Sequence, residues 1–142
     1  MAEERNYVRL EFSAMDRNVA VARLAAASFC VELGFTLTDL EEIKVAVSEA
    51  VSNAMLHGYC GDESRSVEMI LSVSDAFLEI TVKDDGIGIE DVKKAMEPTY
   101  STVADRMGLG FVFMDSFMDG LDVQSAPGKG TVVRMRKRCP CL

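Results

Sequence analysis

Glu49 and Asn53 stand four residues apart in the stretch Glu49-Ala-Val-Ser-Asn-Ala-Met-Leu-His-Gly58. On a helix that spacing points both side chains the same way. Ile43, Val47, Ala50 and Ala54 mark the buried stripe of the same helix. At about 100° per residue the pair falls beside that stripe and not opposite it. A carboxylate there can accept a proton, and a carboxamide oxygen can bind a hard cation. A solvated helix edge would explain the pair taken alone.

Three glycine motifs follow in order: Asp84-x-Gly86-x-Gly88, Gly108-x-Gly110 and Gly130-Thr131. Each has a physical use in holding a nucleotide. Asp84 sits where a strand ends, and its carboxylate only accepts hydrogen bonds. That suits the exocyclic amino group of adenine and rejects the carbonyl of guanine. Gly86 and Gly88 let backbone approach a flat base. Gly108 and Gly110 are expected to open a helix, Phe111 to Met118, whose free amides and dipole favour phosphate. Thr131 offers a hydroxyl at a strand start. Each motif alone also reads as an ordinary turn; the ordered set is what carries the inference. Lys129 is followed by Gly130, so this is not a P-loop.

The elements that must position these groups are legible in outline. Tyr7 to Phe12 alternates as a strand, with Val8, Leu10 and Phe12 on one face. Arg17 to Leu33 is helical and alanine-rich, with a possible start at Ser13 and Asp16 and a stop at Gly34. Its basic residues, Arg17 and Arg23, read as solvated from composition. Thr38 and Glu41 form a capping box before the central helix, which runs to His57, with Gly58 as its left-handed stop. His57, the sole histidine, has no triad partner and reads as a structural hydrogen-bonding residue. Val67 to Val73 and Leu78 to Val82 make an antiparallel hairpin about Ser74-Asp75-Ala76. Glu90 to Met96 is a short helix and Glu97 to Met107 a polar loop. Leu121 to Ser125 and Thr131 to Met135 are the closing strands, around the turn Pro127-Gly128-Lys129-Gly130.

With 142 residues the chain reads as one domain, 1–142, with residues 136–142 expected to fray. Its formal net charge of −8 argues against non-specific binding to a phosphate backbone, and so against direct nucleic-acid binding. No apolar run reaches the length of a membrane span, and no signal-peptide pattern opens the sequence, so a cytoplasmic protein is expected. Cys30, Cys60, Cys139 and Cys141 fit neither a zinc ribbon nor a disulfide framework. Reduced thiols are the expectation, and the tail Cys139-Pro-Cys-Leu142 resembles a prenylation box only formally.

The Glu-x-x-x-Asn helix, Asp84-x-Gly86-x-Gly88 and Gly108-x-Gly110 resemble the N, G1 and G2 boxes of the ATPase/kinase superfamily shared by gyrase, bacterial histidine kinases and MutL. More closely, Glu49 to Tyr59 and Gly108-Leu-Gly-Phe-Val-Phe-Met-Asp-Ser-Phe-Met-Asp119 resemble the family of sporulation anti-sigma F factors. Leu10-Glu-Phe-Ser-Ala14 and the Ala22-Arg23 pair do so too, and the resemblance spans about residues 8 to 136.

The resemblance implies an α/β two-layer sandwich, a mixed and mostly antiparallel sheet covered by helices on one face, of the Bergerat ATP-binding type. It implies an ATP- and Mg2+-dependent protein serine/threonine kinase that is also an anti-sigma factor. Such a protein holds a sigma F-like factor inactive, phosphorylates a serine of an anti-anti-sigma protein, and works as a homodimer. Carried over, Glu49 is the general base, Asn53 the magnesium ligand and Asp84 the adenine acceptor. Gly86, Gly88, Gly108, Gly110 and Thr131 complete the nucleotide site. Arg106, in a lid from Pro98 to Arg106, stands near the terminal phosphate, and Arg23 meets protein partners. That lid is shorter than the family leads one to expect and lacks the lysine often found there. Three other readings share the motifs: a kinase acting on a stress-response sigma system, a stand-alone histidine-kinase-type catalytic domain, and a non-catalytic module gated by ATP.

Overall fold

The computed structural model describes residues 4–97 and 103–140. Five strands form one open sheet: β1 (Glu4–Ser13), β2 (Ser66–Ser74), β3 (Phe77–Asp84), β4 (Gly120–Ser125) and β5 (Thr131–Arg138). Their order is β1-β2-β3-β5-β4, and all four pairings are antiparallel. The helices are α1 (Asn18–Cys30), α2 (Leu37–Asn53), α3 (Val92–Ala95) and α4 (Val103–Phe117).

Alternation decides which face is covered. The register aligns Val8, Leu71, Ile80, Met135 and Leu121 in one row across the sheet. Leu10, Met69, Val82, Val133 and Val123 form the next. Apart from Val8, which is exposed at the sheet edge, these rows join Ala22, Ala26 and Cys30 of α1, Ile43, Val47 and Val51 of α2, and Phe111 and Met114 of α4 in one core. Full burial of a side chain such as Ile43 or Val47 stabilises the fold by roughly 1.5–3 kcal/mol. The opposite face stays wet and carries ion pairs across strands, among them Lys83 with Glu68 and Arg136 with Glu79. The chain is thus an α/β two-layer sandwich.

The β2–β3 hairpin turns through Asp75 and Ala76 at φ 47° and 68°. Both are left-handed, as a two-residue loop requires in order to match the twist of its strands. Other ends differ from the sequence reading. The capping box before α2 uses Thr36 and Asp39, two residues earlier than Thr38 and Glu41. Thr36 Oγ1 accepts from Asp39 N at 3.1 Å, and Asp39 Oδ2 accepts from Thr36 N at 3.0 Å. The start of α1 has no side-chain cap; Asn18 instead donates to the Ser13 carbonyl at 2.9 Å.

Residues 136–139 do not fray. β5 runs to Arg138, and Cys139 is buried with its N–H donating to Ala76 O at 2.7 Å. Cys30 is buried in the same core, and burial pushes its thiol up to about 12, so it stays protonated. Residues 141–142 lie outside the described residues. The loop expected from Glu97 to Met107 is helical from Val103 onward. Pro98 to Thr102 lies outside the described residues, as does the side chain of Arg106, whose backbone is in α4.

Candidate nucleotide-binding site

Beyond the two apolar rows, the inner face of the sheet ends in a polar one. Asp84 pairs with Thr131, and Thr131 with Ser125. Above them lies a cavity of about 250 Å³. Val82, Val133, Ile87, Ile89, Met107 and Phe111 give it apolar walls, while Asp84, Thr131, Asn53 and His57 supply polar groups. Apolar walls with a few convergent polar atoms suit an aromatic heterocycle.

Asp84 is buried, 8% exposed. Burial holds its carboxyl above the usual carboxylate range, and the nearby Asp85 charge adds to this. Hydrogen bonds from the Gly86 and Thr131 amides pull the other way; Gly86 N donates to Asp84 Oδ1 at 2.9 Å.

Gly58 does not end the helix in a left-handed turn. The last turn, Ala54–Gly58, widens into a π-helix, and the left-handed residues are Cys60 and Gly61, at φ 53° and 82°. Such turns often mark functional sites. Gly58 is needed for space, because a Cβ there would lie 2.7 Å from Asp84 Oδ1. A Cβ on Gly86 would collide with the Gly58 carbonyl, and one on Gly88 with the Ala126 carbonyl. These glycines therefore admit neighbouring backbone; Gly88 lines the cavity and Gly86 does not. Ile87 N donates to Gly58 O at 2.9 Å and Gly130 N to Gly86 O at 3.1 Å, which locks the layers together.

Tyr59 secures the same loop from behind. Its hydroxyl donates to Ser66 O at 2.6 Å and accepts from Asp85 N at 2.8 Å. Sequence reasoning gave Tyr59 no role, and it also missed Ser125. The alternation Leu121, Val123, Ser125 would have placed Ser125 on the inner face, next to Thr131.

Glu49 faces a second groove, of about 240 Å³, with Ser52, Leu109, Gly110 and Phe113. Asn53 and His57 line both spaces and so join groove to cavity. Gly108 and Gly110 lie inside α4, which begins at Val103, so no helix N-terminus stands at this motif. Their lack of side chains lets α4 pack closely. A Cβ on Gly110 would lie 2.9 Å from Glu49 Oε2, and one on Gly108 would collide with the Glu97 carbonyl. Arg23 lies elsewhere, on α1, with Nη1 donating to Ser48 Oγ of α2 at 3.2 Å.

The site has a test of fit for a nucleotide and its cation. Among the described residues, Asn53 Nδ2 is the buried side-chain polar atom without a hydrogen-bond partner. A buried amide left so pays for its desolvation. A ligand in the groove would relieve it, and the amide turned over would present its oxygen to a cation. Groups of three or more acidic, histidine or cysteine side chains able to cage a metal are absent from the described residues. Magnesium does not require one, since it commonly binds through one or two protein ligands plus phosphates.

Fold and site together define a nucleotide-binding domain of the histidine kinase-like ATPase class, and the sequence profile of that domain matches residues 12–137. The sequence is 44% identical over 135 residues to the anti-sigma F factor of Clostridium perfringens (strain SM101), covering 94% of this chain and 96% of that one. It is 45% identical to that of Clostridium acetobutylicum, covering 94% of each, and 42% identical to that of Oceanobacillus iheyensis, covering 94% and 93%. The chain therefore belongs to the anti-sigma F factor family. Among solved structures it superposes on the RsbU and RsbW domains of a Mycobacterium tuberculosis protein with a TM-score of 0.65 at 17% identity, covering 94% of this chain and 32% of that one. A blue-light activated histidine kinase of Erythrobacter litoralis matches with a TM-score of 0.56 at 25% identity, over 73% of this chain and 31% of that one. No described helix is long and apolar enough to cross a membrane.

Proposed function

We propose that this chain is a cytoplasmic, homodimeric anti-sigma factor of sporulation that is also a protein serine kinase. It would hold a sigma F-like factor and use ATP with Mg2+ to phosphorylate a serine of an anti-anti-sigma protein. The observation that carries this reading is the meeting of two spaces at Asn53: an apolar cavity floored by acceptors, and a groove holding a carboxylate.

ATP would supply the transferred phosphoryl group, and magnesium would neutralise charge on its phosphates. Asp84 accepts a hydrogen bond from the adenine amino group, and the apolar walls exclude water around the base. Asn53, which lines the groove, would hold magnesium through its amide oxygen. Glu49, one turn earlier on α2, takes the proton from the substrate serine oxygen. Arg106 is assigned to the terminal phosphate. Gly86, Gly88 and Gly130 keep the floor thin and Asp84 in place, while Gly108 and Gly110 let α4 pass close to the groove.

The test is incubation of the purified protein with labelled ATP, Mg2+ and a candidate anti-anti-sigma protein. Acid-stable phosphate on a serine is expected. Acid-labile phosphate would instead indicate a histidine acceptor, and no transfer would leave a binding module.

Arg23 is assigned to the partner surface. It spends one donor on Ser48 and keeps others for a carboxylate, which its planar fork grips in a way lysine cannot copy. Arg23→Ala is expected to leave ATP affinity unchanged and to weaken binding of sigma factor, anti-anti-sigma protein or both by about 2 kcal/mol. Arg23→Lys should recover only part of this. Surface binding of each partner at saturating ATP checks it. Wild-type affinity for both would return Arg23 to a purely interhelical role.

A further inference from the structure

Ser125 does not line the cavity, yet its hydroxyl is fully engaged one residue behind the wall. Ser125 Oγ lies 2.8 Å from three groups: Ile89 N, Gly130 O and Thr131 Oγ1. A hydroxyl has one proton and two lone pairs. The Gly130 carbonyl can only accept, so it takes the Ser125 proton. The Ile89 amide can only donate, so it occupies one lone pair. The other lone pair is left for Thr131, whose hydroxyl must therefore donate to Ser125. The count closes with nothing over.

The consequence falls on Thr131, which does line the cavity. With its proton committed to Ser125, Thr131 presents only lone pairs elsewhere. Asp84 stands beside it in register and, ionised, also offers only acceptors. We infer that Ser125 is a positioning residue for base specificity: it fixes the polarity of the Thr131 hydroxyl, so that the polar floor of the cavity consists of acceptors alone. At the purine 6-position such a floor takes an amino group and repels a carbonyl oxygen. This inference rests on the adenine reading above and goes beyond it, because it assigns part of the discrimination to a residue outside the cavity.

Without Ser125, the Thr131 hydroxyl is free to turn its proton toward the ligand. It can then donate to a 6-oxo group that the wild type rejects. Ser125 also staples Ile89 and Gly130 together, so its loss can loosen the site for any nucleotide. The two effects separate in a ratio. Loosening lowers every affinity by a similar factor, whereas a freed hydroxyl changes the preference between bases.

The experiment is calorimetric titration of the full-length protein with ATP and with inosine triphosphate, each with Mg2+. The wild type should prefer ATP. In Ser125→Ala the ATP-to-ITP affinity ratio is expected to fall by about tenfold, the worth of one hydrogen bond. Ser125→Thr, which keeps the hydroxyl, should retain the wild-type ratio. Ser125→Cys, close in volume but a poor hydrogen bonder, should behave as Ser125→Ala does and serves if the alanine variant fails to fold. A ratio unchanged in both Ala and Cys variants, whatever their absolute affinities, overturns the inference and leaves the adenine reading standing. A wild type without preference for ATP overturns both.

Discussion

A Glu49→Gln protein is expected to bind ATP about as well as wild type and to transfer phosphate about 10²–10⁴ times more slowly, the usual loss when a general base is removed. The substitution preserves size, so the close approach of α4 at Gly110, 2.9 Å from Glu49 Oε2 for an added Cβ, gains no new atoms. Asn53→Ala should fail differently. It removes the amide that joins groove to cavity, so magnesium-dependent nucleotide affinity itself should drop. Calorimetry and single-turnover transfer, run on both variants, separate the two roles. Near-normal transfer by Glu49→Gln would send the serine proton to another group.

An Asp84→Asn protein is expected to lose ATP affinity by about 10- to 100-fold, since a charge-assisted acceptor becomes in part a donor. The same change should make the nucleotide-free protein more stable at neutral pH. Burial raises the folded-state pKa of Asp84 above its ordinary value of 3.8. The folded chain then binds the proton more tightly than the unfolded chain. That contribution to stability is fully present below the ordinary value and is lost as pH rises through the raised one. At neutral pH wild type carries the cost of a buried charge, and the amide does not. Thermal unfolding of both proteins across a pH series checks this, with a flatter profile expected for Asp84→Asn. Its ATP affinity should also lack the acid-side fall that protonation of Asp84 gives the wild type. Unchanged ATP affinity in the folded variant would remove Asp84 from the base site.

Strand alternation made most of the sheet legible beforehand. Val67 to Val73 and Leu78 to Val82 announce two half-buried strands, and Ser74-Asp75-Ala76 their turn. Asp84, Asn53 and Thr131 stand out in the sequence by their chemistry, and the structure gathers all three on one cavity. The glycines are legible in the sequence, but the neighbours they admit are not. A sequence shows that a side chain is missing and not what fills the space; Gly86 meets Gly58, and Gly110 meets Glu49. Those contacts join segments distant in the chain, beyond the reach of local pattern. Gly108-x-Gly110 misled for a related reason. Glycine weakens an isolated helix by up to about 1 kcal/mol per residue, but packing on α2 holds α4 helical through both. The tail departs from the expected fraying because residues 136–138 continue the alternation of β5: Arg136 and Arg138 are exposed, while Lys137 turns inward and donates to Phe117 O at 2.7 Å.

The strand order also bears on how a newly made chain becomes competent. β4 is synthesised before β5, yet β5 lies between β3 and β4. Until residues 131–138 emerge, β4 has no strand to pair with and the hairpin of β2 and β3 keeps an open edge. The cavity at that stage lacks two of its lining residues, Thr131 and Val133. Insertion of a late strand into the middle of a sheet is a non-local closure, which is slow and leaves edges exposed meanwhile. Nucleotide is then a ligand only of chains that have completed this step. Its presence during synthesis would draw finished molecules out of the folding equilibrium without assisting the nascent ones.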